Sequence, residues 1–413
     1  MDHAHRAQPS SPRSASPASS PRGTENRWAA VLLVAASTFV VVAAEMMPVG
    51  LLTPMGSSLQ VSGGTVGLSL TITGLVAAAT APFVPAVAGR SDRKTVLVVL
   101  MALVALANAL TAVAPTFAVV ACARVVLGAG MGAVWALAAS VAPQLVERRS
   151  VGAATTLVFS GIAVASVLGV PVGTFVGGVV GWRASFWGLA AAASLVSAAM
   201  VVVLPPMRPE ARPALGRVSS VLRRRGVASG LVLTVFLVTA HFAAYTYVRP
   251  ALERLVGLDD SQIGTMLVVY GVLGVVGTFV VGPVAVRVPK PVCTVLALGV
   301  AATLVVLPLV GTWSLVVVAA LVGVWGLSYG GVSVSTQSWM AAAAPADREL
   351  TSALWVAVFN ASIALGALGG GQVYDRAGPT SVFWGAAGFA AVALVVASVS
   401  APRQAAETPG RPV

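Results

Sequence analysis

The sequence is poor in charged residues and in cysteine, and both shortages limit the classes of protein to which the chain can belong. Only 9% of its 413 residues are charged, while 57% are hydrophobic, whereas a soluble domain carries about 25% charged residues. The chain therefore cannot cover a water-facing surface. Its two cysteines, Cys122 and Cys293, lie in or beside apolar segments, so we expect small core residues, with neither a disulfide nor a metal site.

Acidic residues are scarcer than basic ones, since 25 Lys and Arg stand against 13 Asp and Glu, for a net charge of +12. In a soluble protein this excess would suggest nucleic acid, but here the arginines lie in loops between apolar runs and indicate membrane orientation. Enzyme motifs are lacking too: there is no His-x-x-Glu-His, no pair of intramembrane acids and no phosphate-binding glycine loop. We expect no enzyme, no cofactor and no nucleic-acid partner.

Long apolar runs are what the sequence has in abundance. Their length, near 20 residues, is that of a membrane-spanning helix and not of a barrel strand. Backbone polar groups inside lipid must be satisfied within the segment, so each run is predicted to be one helix. Twelve runs are predicted, at 28–52, 65–88, 95–114, 117–143, 151–180, 182–204, 229–250, 262–286, 291–310, 313–343, 350–373 and 379–400.

The second six runs repeat the first six. Five residues of the first half recur with the same identity 197 positions later, and a separate loop stretch matches at the same offset, with Arg90 corresponding to Arg287. A duplication of this kind predicts an all-α membrane protein of two pseudo-symmetric six-helix bundles. The five pairs are Gly169 and Gly366, Gly173 and Gly370, Gly181 and Gly378, Phe186 and Phe383, and Trp187 and Trp384.

Composition predicts the domain limits. Residues 1–27 and 402–413 are expected to be disordered cytoplasmic tails, 28–204 and 229–401 the two bundles, and 205–228, rich in Pro and Arg, a basic cytoplasmic linker. The first run is too long for a signal peptide, so it is read as a retained helix. Basic loops alternate with uncharged ones, which places both termini in the cytoplasm at the plasma (inner) membrane. The loop after the seventh run fits least well, because it mixes acids and bases.

Four motifs carry a resemblance to a known family. The glycine pattern of helix five, Gly169 to Gly178, resembles an antiporter motif, with Val170-Pro171 in place of its Gly-Pro pair. The segment from Glu45 to Pro54 is similar to the motif of helix one, and Arg124-Val-Val-Leu-Gly128 to that of helix four. A loop motif between helices two and three is degenerate. It keeps Arg90, Arg93 and Lys94 but lacks its usual acid, which Asp92 is the candidate to supply from a shifted position.

On these motifs the chain, over roughly 28–402, is identified as a member of the major facilitator superfamily. It most resembles the twelve-helix drug:proton antiporters of the arabinose-efflux and chloramphenicol-efflux branch. The resemblance implies proton-coupled efflux of a small amphipathic, drug-like molecule by alternating access, driven by a proton gradient. A sugar or metabolite exporter or facilitator of the same fold is the alternative. We expect a functional monomer in the lipid bilayer.

The resemblance also implies a set of residues that govern conformational change. The helix-five glycines would pack against a partner in the other half and keep the cavity from leaking, and small residues of this spacing allow close helix contact. Pro171 removes one backbone hydrogen bond and permits bending. The set is Arg90, Asp92, Arg93, Lys94, Gly169, Pro171, Gly173, Gly177 and Gly178.

Glu45 is the only carboxylate predicted to lie well inside a membrane segment. A charge at the bilayer centre costs about 2.5–3.5 kcal/mol on insertion scales, so intramembrane acids usually face a cavity. We expect Glu45 to bind and release the transported proton, with Arg124 acting on it electrostatically. The alternatives are that Glu45 is a structural residue in the wet headgroup region and that Arg124 snorkels to an aqueous edge.

A substrate cavity is predicted from aromatic and hydrogen-bonding side chains on the same and facing helices. Rings with scattered polar groups suit an amphipathic organic molecule, because they stack on it and bond it loosely. For each ring, ordinary packing or lipid contact is the alternative, and for His241 a proton relay is a further one. The predicted cavity residues are Thr38, Trp135, His241, Tyr245, Tyr329 and Asn360.

Overall fold

The computed structural model describes residues 27–83, 91–141, 144–207, 218–310 and 314–400. These ranges contain helices and no strand, and most of their residues are helical. The predicted tails, apart from Arg27, lie outside the described residues, as do Arg90 and much of the predicted linker.

The first half forms six long helices, some of which begin at a capping residue. Ser62 caps the second, because its side chain accepts a hydrogen bond from Thr65 N at 3.1 Å. Asp92 caps the third in the same way through Lys94 N at 3.0 Å. The helices are α1 (Trp28–Leu59), α2 (Gly63–Thr80), α3 (Arg93–Val113), α4 (Phe117–Val141), α5 (Val151–Val180) and α6 (Trp182–Val203).

The second half follows the same plan with more interruptions. A short helical turn, Val248–Ala251, and a π turn, Leu252–Val256, separate the first two long helices. The last helix contains one residue outside helical conformation, Gly378 (φ 77°, ψ 179°), directly before Pro379, so it consists of two arms, 348–377 and 379–399. The helices are α7 (Arg225–Tyr245), α8 (Asp260–Ala285), α9 (Pro289–Val310), α10 (Leu315–Gly330), α11 (Val332–Ala343) and α12 (Arg348–Val399).

Ten helices of the described ranges are long and apolar enough to cross a membrane. These ten count α10 and α11 together as one span, Leu315–Ala343, and the two arms of α12 as another, and they leave out α5, whose apolar part Gly169–Val180 is shorter than a span. The predicted number of twelve spans therefore requires that α5 crosses and that each arm of α12 crosses separately.

The two halves share one pattern of helix starts and helix contacts. α1, α2 and α5 begin at residues 28, 63 and 151, and α7, α8 and α12 begin 197 residues later, at 225, 260 and 348. In the first half α1 packs on α5, α2 on α4 and α3 on α6, while in the second α7 packs on α12, α8 on α10 and α9 on α12. The predicted all-α membrane fold of two pseudo-symmetric bundles is confirmed.

The halves meet along two seams, where α2 packs on α12 and α5 packs on α8. Of the α5 glycines in the predicted set, Gly178 lies at the second seam, where a Cβ atom would be 3.6 Å from Asp260 of α8, whereas the other three pack within their own half, contrary to what the resemblance implied. Gly169 and Gly173 face Ala43 and Met47 of α1, within their own half, and Gly177 faces Leu51 there. The reason is that the glycine face lets the α1 and α5 backbones approach closely.

The outer surface of the helices is apolar, as a lipid-facing surface requires. Val202 is 83% exposed, and Leu195 and Phe175 are also largely exposed, which would be a liability in water. Cys122 lies on this surface, so the expectation that it is a core residue is wrong, whereas Cys293 is buried as expected. The sequence alone does not show which face of α4 turns outward.

Candidate transport site between the two halves

Glu45 lies near the middle of α1 and is 2% exposed. Its Oε1 atom is fully buried and has no hydrogen-bond partner among the described residues. This burial argues against a position in wet headgroups. A buried, unpartnered carboxyl oxygen is costly, so this position needs a compensating ligand, proton or charge.

Arg124 of α4 lies beside Glu45 and is 1% exposed. Its Nη1 donates a hydrogen bond to the backbone oxygen of Ala44 at 2.8 Å, and its guanidinium lies 5.0 Å from the ring centre of Phe186. Arg124 and Glu45 act on each other electrostatically, but they do not appear among the ion pairs of the described residues. Nε and Nη2 remain without partners there. Arg124 thus holds buried N–H groups without partners close to the Glu45 carboxyl group.

An aromatic cluster from the second half faces these two charges, with His241 of α7 at its centre. Trp325 Nε1 donates to His241 Nδ1 at 3.1 Å, and Tyr270 Oη lies 3.3 Å from His241 Nε2. Tyr329 stacks on the imidazole with ring centres 3.3 Å apart and planes 9° apart, and Tyr245 stacks on it at 5.0 Å. Three of the predicted cavity residues thus form one cluster.

The hydroxyl group of Tyr329 connects the aromatic cluster with the charged pair. It is buried and has no hydrogen-bond partner in the described ranges, and Glu45 acts on it electrostatically. Trp135 Nε1 and Asn360 Oδ1 are also buried without partners there. Six helices or helix arms, α1, α4, α7, α8, α10 and the first arm of α12, therefore contribute unsatisfied polar atoms or rings to the interior. This is the arrangement expected of a ligand site that is partly polar and partly aromatic.

The structure assigns Thr38 a different position from the predicted one. Its single hydroxyl proton is shared between the backbone oxygens of Ala35 and Val158, each 2.8 Å from Oγ1, so it joins α1 to α5. Asn360 lies on the α2–α12 seam, where its backbone oxygen is beside Gly74, and its Nδ2 bonds Val356 O at 2.9 Å. Sequence spacing put Thr38 on the Glu45 face but could not show that α5 covers it.

Part of the degenerate loop motif, from Asp92 to Lys94, lies within the described residues. Asp92 Oδ1 accepts from Lys94 N at 3.0 Å and from Met207 N at 2.7 Å. Arg93 is buried, with 4% exposure, and Lys94 is half-buried. The carboxylate of Asp92 therefore holds the start of α3 against the segment that follows α6, within one half. Arg90 lies outside the described residues.

A polar network, which the sequence analysis did not assign, closes the interface at the end where α1 ends and α2 begins. Arg249 binds Glu253 through Nε at 2.8 Å, Gly50 O through Nη1 at 2.8 Å, and Asp260 through Nη2. Thr53 of α1 donates to Glu253 at 2.8 Å. We call this end the closed end. The signal for it was the mixed charge of the loop after the seventh run.

Asp375 of α12 contributes a second contact at the closed end, on the other seam. Its Oδ1 accepts from Gly64 N at 2.9 Å and its Oδ2 from Ser62 Oγ at 2.7 Å, so it caps α2 from the opposite half. Burial and the nearby Asp375 carboxylate raise the pKa of Tyr247, whose hydroxyl donates to Ala367 O at 2.9 Å. A cavity of about 390 Å³ lies between Asp375 and Glu253 of the second half and the end of α1.

The family model described as Major Facilitator Superfamily matches residues 34–348 and 231–412 of the chain. The Transcription regulatory protein OpdE of Pseudomonas aeruginosa is 34% identical over 382 residues, which is 92% of this chain and 95% of that protein. The Purine ribonucleoside efflux pump NepI is 29% identical in Escherichia coli O6:H1, covering 87% of this chain and 90% of the relative. In Salmonella typhimurium it is 30% identical, covering 85% and 88%.

Two solved structures have a similar fold. A bacterial homologue of the human lysosomal transporter Spinster, in an inward-facing and occupied conformation, gives a TM-score of 0.69 at 14% identity, over 91% of this chain and 97% of that one. The nucleoside transporter NupG gives 0.73 at 11% identity, over 89% and 98%. At such low identity the likeness concerns the fold alone.

Proposed function

The chain belongs to the major facilitator superfamily, and from that premise we propose that it exports a small organic molecule in exchange for protons. The family is one of transporters and not of enzymes. The observation that carries the proposal is the pair of buried, opposite, incompletely bonded charges, Glu45 and Arg124, which face an aromatic cluster of the other half.

Proton exchange follows from the two protonation states of Glu45, which would bind a substrate differently. An ionised Glu45 attracts Arg124 and any hydrogen-bond donor of a bound molecule, whereas protonation removes that attraction. A proton arriving from outside would therefore weaken substrate binding when the halves open outward, and its release inside would restore binding. Net export is then coupled to proton entry.

A nucleoside-like molecule suits the site better than a sugar or a purely apolar drug. A planar base can stack beside the His241 and Tyr329 rings, while hydroxyl groups can satisfy the open atoms of Glu45 and Arg124. The efflux pumps named for purine ribonucleosides support this substrate class. A drug-like amphipathic molecule, as the antiporter resemblance implied, is the second candidate, since it would use the aromatic cluster alone.

The name of OpdE indicates regulation of transcription for that relative. For this chain we favour transport, because the unsatisfied atoms of the site lie between helices and would be compensated by a small ligand. We further propose, from the basic loops, that this multi-pass protein has both termini in the cytoplasm of the plasma membrane.

Proteoliposomes test the proposal directly. They are loaded with labelled adenosine, or with a lipophilic dye in a parallel series, and diluted into acidic or neutral buffer. Acid outside is expected to accelerate adenosine extrusion from wild-type vesicles, and Glu45→Gln is expected to abolish that acceleration because an amide cannot carry the proton. Glu147→Gln, on the surface, serves as the control. If Glu45→Gln keeps the wild-type pH response, Glu45 is not the coupling residue. If only the dye is extruded, the nucleoside assignment is wrong.

A further inference from the structure

The hydrogen bonds of His241 fix which of its nitrogens carries the proton. Trp325 Nε1 can only donate, so His241 Nδ1, 3.1 Å away, must accept. A neutral imidazole that accepts at Nδ1 carries its proton on Nε2. That nitrogen lies 3.3 Å from Tyr270 Oη, which must therefore accept in turn. Both ring nitrogens are occupied, and one neutral tautomer satisfies both contacts.

A charged His241 would break this arrangement. A second proton on Nδ1 would point at the indole N–H of Trp325, so two donors would oppose each other. The titratable groups that face the ring, on α7, α8 and α10, are the phenols of Tyr245, Tyr270 and Tyr329. In the described ranges no carboxylate bonds the imidazole, and within the aromatic cluster Glu45 acts on Tyr329, beyond the imidazole. The geometry favours a fixed neutral ring and argues against the proton-relay alternative.

The fixed imidazole in turn fixes Tyr329. The two rings are nearly parallel at 3.3 Å, and Phe242 contacts Tyr329 edge-on with ring centres 6.0 Å apart and planes 88° apart. The phenol therefore has little freedom to rotate, and its hydroxyl is left buried, without a partner among the described residues, on the side of Glu45. A rigid ring that carries one unsatisfied hydroxyl is a pre-organised contact for a ligand.

We propose that Trp325 is a positioning residue: by holding His241 as the neutral Nε2–H tautomer, it fixes the plane of Tyr329, whose hydroxyl is the second half's hydrogen-bonding contact to the transported molecule. This rests on the proposed central transport site and adds a requirement to it. The transported molecule must carry a hydrogen-bonding group at the edge of a planar ring, as nucleobases do, so that one face stacks while the edge meets Tyr329.

Nitrogen NMR can test the tautomer without any substrate. The chain has three histidines, of which His3 and His5 lie near the N-terminus, so replacing both with alanine leaves His241 as the only one. The protein is labelled with ¹⁵N-histidine, purified through a tag without histidine and measured from pH 5 to pH 8. We expect one signal pair, that of the Nε2–H tautomer, unchanged across this range. An Nδ1–H tautomer in the wild type, or a titration within the range, overturns the proposal.

Trp325→Phe is the variant that removes the indole N–H while retaining an aromatic ring. We expect His241 in this variant to show mixed tautomers or to titrate, and adenosine affinity to fall about fivefold to tenfold, as for a lost hydrogen bond. Trp355→Phe is the matched control, because it removes an indole donor that bonds Thr336 Oγ1 at 3.0 Å elsewhere. Equal losses in the two variants would overturn the positioning role of Trp325.

The two proposals fail in different ways. If wild-type protein does not bind adenosine, the nucleoside assignment fails, while the NMR result still decides whether His241 is held in one tautomer. If adenosine binds but His241 titrates freely in wild-type protein, the proposed function stands and this inference is wrong.

Discussion

The two halves of the chain carry side chains of different chemical character at equivalent positions. Where the first half has a charged pair and small residues, the second has rings. At the offset of 197 residues, Ala44 and Glu45 correspond to His241 and Phe242, Arg124 to Leu321, and Gly128 and Gly132 to Trp325 and Tyr329. In our proposal, the first half therefore handles the proton and the second half the planar part of the transported molecule.

The glycines show how the same backbone plan accommodates this difference. A Cβ atom at Gly128 or Gly132 would lie 2.6 Å from the backbone oxygen of Thr73 or Ala77, so in the first half α4 touches α2 directly at these positions. In the second half the equivalent positions hold Trp325 and Tyr329, which extend into the aromatic cluster instead. The equivalent helices α4 and α10 thus differ in one layer of the interior, which holds a direct backbone contact in the first half and aromatic rings in the second.

The largest effect is expected when Arg124 is replaced by leucine, the residue at the equivalent position of the second half, Leu321. Arg124→Leu removes the cation that acts on the buried Glu45 carboxylate, and leaving a buried charge uncompensated costs about 3–5 kcal/mol. We expect proton-driven export to fall about 100-fold or more, measured in proteoliposomes. Arg287→Leu, on the surface, is the control. Coupled export at the wild-type rate in Arg124→Leu would show that the charges do not act together.

A smaller effect is expected where glycines hold helices together within each half. A Cβ at Gly366 would lie 2.7 Å from the backbone oxygen of Thr239, whereas one at Gly169 would lie 3.0 Å from the Ala43 methyl group. We expect Gly366→Ala to lower thermal stability by about 1–3 kcal/mol and Gly169→Ala by less, because a backbone atom yields less readily. Gly369→Ala, with nothing within 4 Å, is the neutral reference. Equal melting temperatures in all three would contradict these contacts.

Tyr329→Phe tests whether the first half handles the proton and the second half the transported molecule. This variant keeps the ring and removes the unpartnered hydroxyl, so we expect KM for export to rise about fivefold to tenfold, which corresponds to one hydrogen bond. The acceleration by an inward proton gradient should persist, because Glu45 is intact. A loss of proton dependence in Tyr329→Phe would mean that the two halves do not divide the tasks as proposed.

The smallest effect is expected at the closed end. Asp375→Asn weakens a cap that α12 places on α2, worth about 0.5–2 kcal/mol. In a background without Cys122 and Cys293, a cysteine at the buried Leu52 should react several-fold faster with an impermeant maleimide, since the closed end opens more often. Asp259→Asn is the matched control, because Asp259 caps α8 within one half through Gln262 N at 2.8 Å. Similar labelling rates in both variants would argue against a role for Asp375 in closure.

Much of the fold could be predicted from the sequence, because lipid forces apolar runs to become helices and the repeat gives their pairing. Within the site, Glu45 and Arg124 were found because a charge in an apolar run is conspicuous. Thr38 was misplaced because helical spacing does not reveal which neighbour covers a face. Arg249 and Asp375 were missed as partners because their contacts join residues far apart in the chain.

The glycine faces and the closed end differ in how they respond to water. Where α5 meets α1 and α12 meets α7, backbone and methyl groups touch, and separating them would expose surface that water cannot compensate. At the closed end, by contrast, the partners are Arg249, Glu253 and Asp375, and each of their hydrogen bonds can be replaced by one to solvent. Each bundle should therefore move as a rigid body. The interface between the bundles should open at the closed end, where water can replace the hydrogen bonds at the lowest cost in free energy.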